Sequence, residues 1–250
     1  MASVSQIKLV KSLSGKKNRM QHQLFVAEGT KIILEMLQSG MELVNIYATN
    51  NWLSSYSGKI QLNIAKAEEV SLKDLERMSS LSTAQEVIAI IKIPNWELPS
   101  TFDKNEIIIA LDGIRDPGNL GTIIRLADWY GIRYVICSPD CVDVYNSKVV
   151  QSTMGSIARV KVIEKDLKFF LQDTGLPIFM AVIDDAENIH NLKGFQSGIL
   201  VIGSESHGIS PEILEIPSNR IKIPSFGSAE SLNAALAAGI ILDNIKRVQE

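Results

Sequence analysis

Hydrophobic and polar positions over residues 5–93 switch repeatedly between a helical and a strand period. Ile7, Val10 and Lys11 suit a first helix, and "LFVAEG" reads as a strand. Thr30 stands where a cap would precede the helix "KIILEML", and "LVNIYAT" is the next strand. Ser71 with Asp74 three residues on has capping-box spacing and opens a further helix. "EVIAIIKI" closes the stretch as a buried strand. These segments predict a small α/β domain over residues 1–93. "PNWELPSTFDKN" has two prolines and no apolar period, so residues 94–105 are expected to be a linker.

From residue 106 to 250 the alternation becomes regular. The strands "EIIIALDG", "YVICS", "RVKVIE", "IFMAVID", "ILVIGS" and "RIKIPS" are interleaved with "LGTIIRLADWYG", "SKVVQSTMG", "DLKFFLQD" and "PEILE" as helices. "SAESLNAALAAGIILDNIKR" is expected to form a terminal helix. The fold class is therefore α/β, with a mostly parallel sheet and helices on both faces. Ligands of such sheets gather at the carboxyl ends of strands. That points to the loops after Leu111, Ile202 and Ile223.

Composition narrows the class further. Nearly half the residues are apolar (46%), enough for a sizeable core. No apolar run approaches the ~20 residues of a membrane span. The opening "MASVSQIKLVKSLSGKK" lacks the apolar stretch of a secretory signal, so residence in the cytoplasm is expected. Cys137 and Cys141 are spaced as neither a redox pair nor half a zinc site, and His22, His190 and His207 are scattered. No metal is expected. The net charge of −3 conceals an asymmetry: residues 1–31 hold Lys8, Lys11, Lys16, Lys17, Arg19 and Lys31 against Glu28 alone, which is +5 and leaves −8 elsewhere. Such a patch is either a phosphate-binding surface or a solvated helix face.

The three loops carry distinct chemistry. In "LDGIRDPGNLGTIIRLAD", Gly118 and Gly121 flank Asn119 just before a helix, where backbone approaches a ligand closely. Asp116 and Pro117 break the dinucleotide glycine pattern. In "ILVIGSESHGIS" the hydrolase elbow fails, because Ser204 stands where it requires glycine. What remains is Gly203, Glu205 and Gly208, a carboxylate between two flexible positions. In "RIKIPSFGSAESLNAALAAG", Ser231 suits a helix cap and Asn233 the first turn, yet capping does not account for Ser228 and Glu230 as well.

Taken together and in this order, "DPGNLGTIIRLAD", "GSESHG" and "IPSFGSAESLNAALAAGI" resemble the three motifs of the SpoU/TrmH family of RNA 2′-O-methyltransferases. The N-terminal part, with "LFVAEG" after the basic "KSLSGKKNRMQHQ", is similar to the L30e/L7Ae-like substrate-binding domain of many members. The resemblance implies a trefoil knot in residues 106–250, a homodimer whose active site draws on both subunits, and S-adenosylmethionine as cofactor. It implies Arg125, Asn119, Glu205, Ser231 and Asn233 as the catalytic set. It implies a cofactor site of Ile202, Gly203, Glu205, Gly208, Ile223, Pro224, Ser231, Leu232 and Asn233. RNA contacts are expected from Lys8, Lys11, Lys16, Lys17, Arg19 and Arg125.

Arginine stays protonated at ordinary pH, so Arg125 is expected to bind a substrate phosphate and stabilise the forming alkoxide rather than act as a base. Three positions depart from the family: Gln151 where many relatives have arginine, Ser204 where asparagine commonly precedes the glutamate, and Ala234 where valine is frequent. Ribosomal RNA is preferred over transfer RNA as substrate because a separate recognition domain is present. A catalytically silent RNA-binding protein of the same fold is the competing reading; a Rossmann-type nucleotide enzyme ranks third.

Overall fold

The computed structural model of the chain describes residues 2–56, 67–103, 105–193, 195 and 197–249. Residues 57–66 of the expected N-terminal domain lie outside the described residues. The chain divides into two compact units, Met1–Asn95 with Asp143–Ala158, and Trp96–Val142 with Arg159–Glu250.

The first unit runs α1 (Val4–Ser12), α2 (Lys16–His22), β1 (Leu24–Glu28), α3 (Thr30–Gln38), β2 (Leu43–Ala48), α4 (Asn50–Tyr56), β3 (Ala67–Glu69), α5 (Leu72–Met78) and β4 (Val87–Lys92). Its sheet has the order β1-β4-β2-β3, antiparallel except where β2 meets β3. The unbroken apolar run of β4 follows from burial on both faces. Val87, Ala89 and Ile91 join Phe25, Ile33 and Trp52 in one core, while Ile88 and Ile90 join Val10, Leu13 and Leu75 in another. Tyr145, Val150 and Ile157, far along the chain, complete the first of these cores.

Two capping expectations fared differently. Ser71 caps α5, accepting the Asp74 N–H at 3.1 Å while its hydroxyl donates to Asp74 Oδ2 at 2.9 Å. Thr30 is no cap: Gly29, at φ 96°, precedes the helix, and Thr30 Oγ1 accepts the Trp52 indole N–H at 2.9 Å.

The basic segment also needs one correction. Lys8, Lys11, Lys16 and Lys17 are exposed, but Arg19 is only 3% exposed. Its guanidinium donates to the carbonyls of Leu13 (2.7 Å) and Ser14 (2.6 Å) and pairs with Asp143 Oδ2 at 2.5 Å. Arg19 therefore ties the α1–α2 turn to residue 143 and offers no charge to RNA. Arg19→Ala is expected to destabilise the protein by about 2–3 kcal/mol, because it leaves the Asp143 carboxylate and two carbonyls short of their donor. Thermal and urea unfolding measure this.

The second unit contains β5 (Ile107–Asp112), α6 (Pro117–Trp129) and β6 (Tyr134–Cys137). The chain then enters the first unit for α7 (Ser147–Ser152) and returns for β7 (Lys161–Glu164), α8 (Leu167–Asp173), β8 (Ile178–Ala181), β9 (Glu187–Asn188), β10 (Gly198–Gly203), α9 (Pro211–Leu214), β11 (Asn219–Lys222) and α10 (Ala234–Gln249). Among the described residues, seven parallel strands stand in the order β7-β6-β5-β10-β8-β11-β9. β5 and β10 lie side by side with Gly203 level with Asp112, so two of the three loops leave the same edge of the sheet. Within the expected linker, Trp96, Leu98 and Phe102 pack against the core of this unit. Among the described residues, no helix is long and apolar enough to cross a membrane.

Candidate active site

The loop after β5 is held in place by its neighbour after β6. The Gly113 N–H donates to Ser138 Oγ at 2.9 Å and the Ile114 N–H to Cys141 Sγ at 3.2 Å. The Cys141 thiol is drawn down to about 7, chiefly by its hydrogen bond with the Cys137 thiol, which outweighs the opposing effect of burial. Asp116 then caps α6 by accepting the Asn119 N–H at 2.8 Å, with Pro117 at the first helical position. The glycine-rich stretch read from sequence as a loop is thus the first turn of the helix.

That turn aims the Asn119 amide across the sheet edge. Its Nδ2 donates to Glu205 Oε1, and its Oδ1 accepts Asn233 Nδ2 at 2.8 Å. Glu205 Oε1 also takes the Ala234 N–H at 3.4 Å, at the positive end of α10. Asn233 is the true cap of α10: its Oδ1 accepts the N–H groups of Ala235 (3.0 Å) and Leu236 (3.2 Å). The terminal helix therefore starts six residues later than "SAESLN" suggested, and Ser231 does not cap it. One chain of side-chain hydrogen bonds, Glu205–Asn119–Asn233, joins the loops after β5, β10 and β11.

Beside it lies a cavity of 330 Å³. Of the residues expected to hold a cofactor, Ile202, Gly203, Glu205, Gly208, Ile223, Pro224, Ser231 and Leu232 line it, and Asn233 does not. The remaining wall comes partly from Val182 and Ile183 after β8 and from Ala237 and Ile241 on α10. Sequence reasoning overlooked these and Glu230, which also lines the cavity. The end of β8, flanked by β10 and β11, was the available signal for the first pair. The loop after β10 folds back on itself: the Ser204 N–H donates to the Gly208 carbonyl at 3.1 Å and the Gly208 N–H to the Ser204 carbonyl at 2.8 Å.

Arg125 is not part of this constellation within one protomer. Six residues beyond Asn119 on the same helix, it is turned by roughly 120° from it. It is exposed and has no carboxylate partner among the described residues. It shares the exposed side of α6 with Trp129, 83% exposed, while Leu236 and Ile240 are exposed on α10. The two helices pack closely where Leu126 meets Gly239, whose missing Cβ would lie 3.6 Å from the leucine methyls. Gln151 spends its amide on the Glu28 carbonyl at 3.2 Å. Ser204 Oγ accepts the His207 N–H at 3.3 Å.

Comparison with known proteins assigns both parts of the chain. Residues 106–243 match the SpoU rRNA methylase family, and residues 5–89 match the MRM3-like substrate-binding domain. The 23S rRNA (guanosine(2553)-2′-O)-methyltransferase RlmP of Bacillus subtilis is 26% identical, over 98% of this chain and 97% of its own. A 23S rRNA (uridine(2479)-2′-O)-methyltransferase of Streptomyces viridochromogenes is 26% identical over 92% and 85%. Among solved structures, a TrmH-family protein from Porphyromonas gingivalis superposes with a TM-score of 0.87 at 35% identity, covering 99% of both chains. An AdoMet-bound rRNA methyltransferase from Sinorhizobium meliloti does so with 0.86 at 26% identity, covering 99% and 97%. With over half its length matched by the family's own domain and the three motif loops joined by one hydrogen-bond chain, the chain belongs to the SpoU rRNA methylase family.

Proposed function

We propose that the protein transfers a methyl group from S-adenosylmethionine to a ribose 2′-hydroxyl of ribosomal RNA, working as a homodimer. The observation that carries this reading is the Glu205–Asn119–Asn233 hydrogen-bond chain at the rim of the cavity. The cavity suits the cofactor: its walls are largely apolar, backbone reaches its surface at Gly203 and Gly208, and among the described residues no cationic side chain lines it. When bound, S-adenosylmethionine supplies an electrophilic methyl group.

The protein's own contribution is mostly positioning, since in-line displacement demands an aligned nucleophile. Asn119 holds the Glu205 carboxylate and the Asn233 amide in one register, with Ser231 on the cavity wall beside them. Arg125 binds the phosphate next to the target ribose and stabilises the alkoxide as it forms, the phosphate taking the proton. Because Arg125 faces away from Asn119, the arginine of one copy serves the cavity of the other. The apolar exposure of Trp129, Leu236 and Ile240 supports a second copy seated on α6 and α10. The placement of β11 between β8 and β9, with α10 returning against α6 and β10, supports the knotted path.

Exposed Lys8, Lys11, Lys16 and Lys17 supply phosphate contacts from the substrate-binding domain. The two relatives named as 23S rRNA enzymes support ribosomal RNA as the substrate. The free, buried Cys137 and Cys141 suit the cytoplasm. Mapping of ribose methylation in cells with and without the gene tests the proposal. Loss of one or a few 2′-O-methyl groups from ribosomal RNA is expected. Loss confined to transfer RNA moves the substrate, and unchanged maps with no measurable S-adenosylmethionine binding favour a silent RNA-binding protein.

A further inference from the structure

We propose that Glu230 is a charge-selecting residue of the cavity, favouring cationic S-adenosylmethionine over the uncharged thioether left after methyl transfer; the inference rests on the cofactor reading above. Among the described residues, two ionisable side chains line the cavity, Glu205 and Glu230. They differ in commitment. Glu205 Oε1 is held by the Asn119 amide and the Ala234 N–H, so its charge is already partly answered. Glu230 has no hydrogen-bond or ion-pair partner among the described residues. The irregular stretch that carries it does not require it for capping, because Asn233 does that work.

The cofactor and its product differ by one methyl group and one unit of positive charge. Their adenosine portions, amines and carboxylates are identical, so walls such as Ile202, Ile223 and Leu232 treat the two alike. An unanswered carboxylate does not. Its attraction acts on the sulfonium and vanishes when the charge leaves with the methyl group, so product is held less tightly than cofactor. Apolar walls weaken the solvent screening that would otherwise erase this difference. Glu230 is exposed, which limits the effect to a modest factor.

The test is calorimetric, on the full-length protein and its Glu230→Gln variant. Three ligands are titrated: S-adenosylmethionine, S-adenosylhomocysteine, and an analogue with a protonated amine in place of the sulfonium. In the variant, Kd for both cationic ligands is expected to rise about five- to tenfold, and that for S-adenosylhomocysteine to change less than about twofold. The wild-type preference for the cations should also shrink as salt is raised. Equal weakening of all three ligands would overturn the proposal in favour of a packing role, and unchanged affinities would make Glu230 a solvated surface acid. Failure of the wild-type protein to bind any of the three would instead sink the cofactor reading itself.

Discussion

Arg125→Ala is expected to lower the single-turnover rate of methyl transfer by about 10³-fold, the range seen when a preorganised charge facing a developing anion is removed. Stability should stay within about 0.5 kcal/mol of wild type, because an exposed residue with no ion pair among the described residues gives the fold little to lose. S-adenosylmethionine affinity should also be unchanged, since Arg125 does not line the cavity. Arg125→Lys keeps the charge but not the planar fork, so an intermediate loss of about 10- to 100-fold is expected. Near-normal turnover in the alanine variant would remove Arg125 from the mechanism. If the site draws on two copies, mixing Arg125→Ala with Glu205→Ala protein should restore activity that neither has alone. No recovery from mixed dimers would confine each site to a single protomer.

Much of this arrangement is readable from the residues, but unevenly. Strands buried on both faces announce themselves, as β4, β5 and β10 do through unbroken apolar runs rich in isoleucine. Two of the three loops follow such strands, whereas the third follows β11, exposed at Asn219 and Arg220. The helix starts were harder. Asp116 and Asn233 cap their helices by side-chain geometry that sequence offers equally to Thr30 and Ser231. Which of several adjacent cap-capable residues is used depends on where the rest are needed, and Asn119 draws Asn233 to its place. Arg19 was misread for a related reason. A guanidinium among lysines looks like surface charge until the two carbonyls and the distant Asp143 that bury it are brought together by the fold. The partner of a long-range ion pair has no local signature.

Gly203 and Gly208 look interchangeable in sequence, yet their alanine variants should differ sharply. A Cβ on Gly203 would lie 2.1 Å from the Gly208 carbonyl carbon, 2.2 Å from its oxygen and 2.3 Å from the Ile209 nitrogen. All three are backbone atoms, so no side chain can rotate away, and the paired hydrogen bonds between Ser204 and Gly208 must open. Gly203→Ala is therefore expected to cost about 3 kcal/mol or more of stability. It should also weaken S-adenosylmethionine binding by at least about 100-fold, because the opened turn withdraws Glu205 from Asn119 and backbone from the cavity wall. Gly208 has nothing within 4 Å of its missing Cβ; its demand is conformational, φ +66°. Gly208→Ala should cost only about 1 kcal/mol and leave binding within about tenfold. Thermal unfolding and calorimetry on the two variants separate the causes. Equal losses would mean that backbone conformation, and not the close approach of two chain segments, holds Glu205 at the site.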